Sequence, residues 1–121
     1  MTIYINIAKD FSDMPIGRYR KEGNKTGQAF REDILYPKIC KALNNNDTLE
    51  VDFTGVLNLS CGFLEEAFGG LVREHGMDNQ EVANVLKLTA NNNHMGLYID
   101  LAKQYIDEAV AANKNDTSRT V

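Results

Sequence analysis

The chain has 121 residues, 43% hydrophobic and 25% charged, with a formal net charge of −4. That length predicts one domain, able to bury roughly two-thirds of its unfolded surface around a single core. The acidic balance argues against nucleic acid or an anionic membrane as the main partner. The opening MTIYINIAKDF lacks a basic stretch followed by a long apolar run, so no leader is expected, and no segment approaches the roughly 18 apolar residues of a membrane span. Two cysteines, Cys40 and Cys61, without CxxC spacing or a histidine nearby in sequence, predict no metal site and no cofactor. The expectation is a cytoplasmic protein with reduced thiols.

Ile3, Ile5 and Ile7 alternate with Tyr4 and Asn6, which predicts a strand over 2–8. Residues 9–25 carry Pro15, Gly17 and Gly23 too densely for a helix and read as a loop or short hairpin. A fourth strand from 18–21 is an option that the spacing leaves open. Thr26 reads as the cap of a first helix over 27–43, whose stripe is Phe30, Ile34, Leu35, Ile39 and Leu43. Pro37 removes an amide inside that run and predicts a kink or break. A second strand is expected over 48–54 and a second helix over 62–75, closed by Gly76. Asp78 and Glu81 have capping-box spacing, which predicts a short helical turn before a third strand over 85–89. The last helix is expected over 95–112, with 113–121 a flexible tail. Strands alternating with helices predict an α/β fold: a small mixed or mostly parallel sheet with helices packed on it, in a single domain spanning 1–112.

The richest stretch is VDFTGVLNLSCGFLEEAFGGL, from Val51 to Leu71, where a period-two pattern gives way to a helical one across a turn holding Ser60 and Cys61. Amides at such a helix start point outward and suit an anion or a phosphorylated side chain. Ser60 there is a phosphoacceptor or simply the cap. Cys61 is a thiol favoured by the helix dipole, or a small residue packing the strand–helix corner, with Ser60 the more exposed of the two. Gly69 and Gly70 are costly inside a helix, which predicts a close approach to the fold or to a partner. Glu65 and Glu66, adjacent on a helix, diverge by about 100° and make a poor catalytic pair. Arg18 and Arg31, with Thr26 and Gly27 opening a helix, form either an anion site or internal ties to Asp13, Glu22, Glu32 or Asp33. TGQAFR lacks the GxxxxGK[ST] spacing, which excludes a P-loop.

Four segments together resemble the STAS-like domain family of unassigned function, over about the first two-thirds of the chain. They are Ile5-Asn6-Ile7-Ala8-Lys9-Asp10-Phe11, Gly17-Arg18-Tyr19, Thr26-Gly27-Gln28-Ala29-Phe30-Arg31, and Phe63-Leu64-Glu65-Glu66-Ala67-Phe68-Gly69-Gly70-Leu71. The family is distantly similar to the STAS domains of anti-sigma-factor antagonists. In those antagonists, the resemblance implies, the turn before the second helix carries Asp, two Ser and Gly, and a histidine-kinase-like ATPase phosphorylates one serine. The matching positions here are Asn58, Leu59, Ser60, Cys61 and Gly62, which puts Cys61 at the phosphoacceptor place and leaves no aspartate. The resemblance thus implies a non-enzymatic regulatory module that binds a protein, plausibly such an ATPase, through Asn58, Ser60, Cys61 and Gly62. The alternative is a sensor holding a nucleotide or other small anion against Arg18, Thr26, Gly27 and Arg31.

Overall fold

A computed structural model describes residues 2–91 and 93–119, with side chains at 2–91 and 95–113. Strand β1 is Thr2–Asn6 and stops two residues short of expectation. The reason is local: the Asn6 carboxamide accepts from the Lys9 N–H (2.9 Å), and the Asp10 carboxylate accepts from the Asn6 N–H (2.8 Å). These reciprocal bonds turn Ile7–Asp10 into a single helical turn, α1. Residues 11–26 form a loop with a 3-10 turn at Arg20–Glu22, so no strand forms at 18–21.

Thr26 caps the next helix as expected, its hydroxyl accepting from the Ala29 N–H (3.2 Å). That helix, α2, joins Gly27–Phe30, a π-helical segment Arg31–Leu35, and Tyr36–Asn44 without interruption. Pro37 therefore does not break it. The Tyr36 N–H reaches back five residues to the Arg31 carbonyl, and Pro37 follows as an early residue of the renewed α-turns, where a missing amide costs least. Strand β2 is Thr48–Asp52. Helix α3 joins Cys61–Leu64, a second π segment Glu65–Gly69, and Gly70–Arg73. Gly76, at a φ of 71°, closes the exit from this helix.

The capping box at Asp78 and Glu81 is present and starts α4, Asn79–Val85, nearly two turns rather than one. Strand β3 is Leu86–Thr89. Helix α5, Asn93–Arg119, runs past residue 112 into the stretch read as a tail. No helix among the described residues is long and apolar enough to cross a membrane.

The sheet is wholly parallel in the order β1-β2-β3, with Ile5 opposite Val51 and Val51 opposite Leu88. Parallel crossovers are right-handed. Two of them advancing in one direction place their helices on the same side of the sheet. Side-chain alternation agrees: Ile5, Leu49, Val51 and Leu86 are buried, while Tyr4, Glu50, Asp52 and Lys87 belong to the other face. That open face is tied by polar pairs, Tyr4 to Asp52, Thr89 to Glu50 (2.9 Å) and Thr2 to Thr48 (3.2 Å). Beneath the helices, Phe30 and Phe63 meet at 5.6 Å between ring centroids, and Phe11 covers both.

Candidate functional site

The turn before α3 and the loop before α2 lie side by side. The Leu57 N–H donates to the Asp13 carbonyl (2.7 Å) and the Ser60 N–H to the Pro15 carbonyl (3.3 Å). The Ser60 hydroxyl accepts from the Phe63 N–H (3.0 Å), making it the cap of α3, and from the Gly17 N–H (3.2 Å). Gly17 accommodates a φ of 98° here, a conformation that favours glycine. Its carbonyl then accepts from the Gly27 N–H (3.0 Å), and that of Arg18 from the Gln28 N–H (2.9 Å). One loop thus links the starts of both helices.

Cys61 is the first residue of α3 and is exposed, while Ser60 is half-buried, the reverse of the order expected. Ser60 is drawn in by the two amides it holds. Tyr105 of α5 stands against Cys61, and burial together with its hydrogen bond to the thiol raises the phenol above its ordinary 10.0. Asn58 and Leu57 are exposed, and Gly62 lies under the stem of Arg18, where a Cβ would meet the Arg18 Cγ at 3.0 Å.

The four residues read as an anion site do not come together as one. Thr26 and Gly27 are buried, and the first three amides of α2 are already held by the carbonyls of Gly17 and Arg18 and by the Thr26 hydroxyl. Arg31 is 2% exposed and pairs with Glu66 (2.7 Å), also donating to the Glu66 carbonyl. No main-chain donor remains among the first three residues of this helix for an incoming phosphate. Arg18 leaves the set and pairs with Glu65 at 2.6 Å, half-exposed. The tie reading holds for both arginines: their nearest partners lie on α3, and Arg31 also reaches the local Glu32 at 3.7 Å. Arg20 holds the local acids more closely, bonding Glu32 (3.0 Å) and Asp33 (2.7 Å). For Glu32, burial alone would raise its pKa, and bonds from Arg20 and Gln28 hold it below its ordinary 4.5.

The same contacts explain the glycines of FLEEAFGGL and TGQAFR. A Cβ on Gly70 would run into the Arg31 guanidinium, 2.8 Å from Cζ, and one on Gly27 would lie 2.5 Å from the Phe63 carbonyl and 2.9 Å from the Glu66 Cβ. The close approach expected at Gly69–Gly70 is therefore within the fold. Arg73 completes the cluster, bonding Glu65 and reaching Glu66 at 3.2 Å. His75 lies past the far end of α3, stacked on Tyr36, and so stands away from Cys61 in the helix. No three potential metal ligands gather among the described residues.

Three residues beside the turn were not among the expected site residues, and Ile16 and Leu57 read instead as an anchor of the 9–25 segment and as part of the apolar run before the turn. Met14, Ile16 and Leu57 are 46%, 56% and 67% exposed. The available signal was their isolation, large apolar side chains in polar, Gly- and Pro-punctuated loops with no period to bury them.

A family model described as a STAS-like domain of unknown function (DUF4325) matches residues 26–95. No curated protein matches the chain significantly, and no solved structure does.

Proposed function

The chain belongs to this STAS-like family, and from that premise we propose that it is a non-enzymatic, regulatory, cytoplasmic module that binds a protein through the turn at 57–62 and the loop at 13–18. The observation that carries this reading is the exposure of three large apolar residues, Met14, Ile16 and Leu57, on two loops that the Leu57–Asp13 and Ser60–Pro15 backbone bonds hold side by side. Apolar side chains clustered in water and rimmed by polar groups are the usual mark of a protein-binding patch. Asn58, Cys61 and Arg18 supply such a rim. By its resemblance to anti-sigma-factor antagonists, the partner is a histidine-kinase-like ATPase. Ser60 already holds two amides, which supports binding without a phosphoserine. Cys61 has a phenol rather than a base beside it, which supports a non-catalytic role.

A photo-crosslinking residue placed at Asn58 tests the reading in cells of the native host. It should capture one ATPase of that type, and Leu57→Asp should abolish the capture. Cys61→Asp should abolish it too while keeping a cooperative melt, because an exposed first helical position tolerates negative charge. Capture unaffected by either change, or none at all, contradicts the proposal.

A further inference from the structure

The two edges of the sheet are β1 and β3, and they differ in how they meet water. On β3, Lys87 sits within the strand, and the Leu86 N–H is already taken by the Val82 carbonyl where α4 ends. A lysine in the strand and a helix against it both discourage pairing with another chain. Strand β1 carries neither a lysine nor a proline, and Thr2–Ala8 holds no charged residue at all. Thr2 and Tyr4 are exposed there, and Ile3 is half-buried.

The register shows which backbone groups this edge offers. The Phe53 N–H donates to the Thr89 carbonyl (2.8 Å), so Phe53, Val51 and Leu49 direct their backbone groups towards β3. Thr48, Glu50 and Asp52 then face β1, and the pairing of Ile3 with Leu49 and Ile5 with Val51 makes Ile3 and Ile5 their partners. Thr2, Tyr4 and Asn6 therefore face outward. The Asn6 N–H is held by the Asp10 carboxylate (2.8 Å), which closes that end of the edge. The N–H and carbonyl groups of Thr2 and Tyr4 have no partner among the described residues.

We propose that β1 pairs antiparallel with β1 of a second copy about a two-fold axis at Ile3, joining two three-stranded sheets into one of six. In that register Thr2 lies opposite Tyr4 of the other copy, and the two pairs exchange four backbone hydrogen bonds, using every free group of Thr2 and Tyr4 on both sides. Centring on Tyr4 instead would call on the Asn6 N–H, which Asp10 already holds. Ile3 meets its own counterpart on the helix-covered side, a favourable β-branched pair. A second copy is the occupant that the charge favours: the chain carries −4 and repels itself elsewhere, but this strand sets no charge against its own image. Four residues a side bury less than the roughly 800 Å² per partner of a standard complex, so the dimer is weak and concentration-dependent. It uses no residue of the loops at 13–18 and 57–62, so each reading stands or falls separately.

Sedimentation of the chain at rising concentration should show monomer giving way to dimer. Thr2→Pro removes an outward amide at the first residue of the strand, where the fold tolerates proline, and should weaken the dimer about tenfold or more with the melt intact. In a Cys61→Ser background, Ile3→Cys should oxidise to a disulfide joining position 3 of the two copies, since Cα atoms about 4.5 Å apart suit that bond. Tyr4→Cys should crosslink far more slowly, its Cα lying more than about 7 Å from its counterpart. A chain that stays monomeric at every concentration, a dimer indifferent to Thr2→Pro, or faster crosslinking at position 4 than at position 3 overturns the proposal.

Discussion

The His75 ring lies parallel to Tyr36, 3.7 Å between centroids, and its Nε2 is buried without a hydrogen-bond partner. Burial disfavours the imidazolium, and the nearby Arg31 charge adds repulsion, so the ring titrates below its ordinary 6.5. Between the lowered folded value and the unfolded one, the unfolded chain binds more protons. This contribution is therefore fully present above about pH 6.5 and is lost as the pH falls through the folded value. Denaturant midpoints measured from about pH 7.5 down to 5.5 should decline, and His75→Phe, which keeps the stacking, should flatten the decline. An unchanged slope would assign the acid sensitivity to other groups. Single residues whose work is local were legible in the sequence: Thr26, Ser60 and Asp78 all cap helices, because a cap needs only the next three amides. Arg31 was not, since its partner Glu66 lies 35 residues away and only the packing of two helices joins them.

Helices α2 and α3 cross where each carries a π segment, and those segments hold Arg31, Glu65 and Glu66. An extra residue in a turn re-aims the side chains that follow, and at this crossing both partners of the buried pair lie in such turns. The π segments and the glycines belong to one device. Arg31→Met should destabilise the fold by up to about 3–5 kcal/mol, since the buried Glu66 loses its nearer cation and keeps only the 3.2 Å contact with Arg73. Gly70→Ala should cost about 1–3 kcal/mol in the wild type, but much less in the Arg31→Met background, where the guanidinium is gone. Gly27→Ala should carry a similar penalty in both backgrounds, because its obstacle is the Phe63 backbone. A double-mutant cycle by chemical denaturation checks the contrast, and equal penalties for Gly70→Ala in the two backgrounds would refute it. Helix starts and stripes were legible from spacing, whereas the π segments were not, because buried long-range contacts decide where the extra residue goes. Pro37 pointed to the right helix and the wrong outcome: the π bond just before it lets the helix continue.

At the scale of the whole molecule, strand and helix order made the α/β architecture legible, whereas the one-sided sheet follows from right-handed crossovers only once the spatial order β1-β2-β3 is known. What the order could not reveal is that the loops at 13–18 and 57–62 lock together, for this depends on backbone bonds between segments more than 40 residues apart. On the proposed function, this locked pair of loops is where a partner docks. Amide hydrogen exchange of the chain alone and with the ATPase captured through Asn58 tests it most directly. Slowed exchange concentrated at 13–18 and 57–64, with α4 and β3 unchanged, is the predicted result. Protection confined to the open face of the sheet or to α5, with 13–18 and 57–64 exchanging as in the free chain, would contradict it.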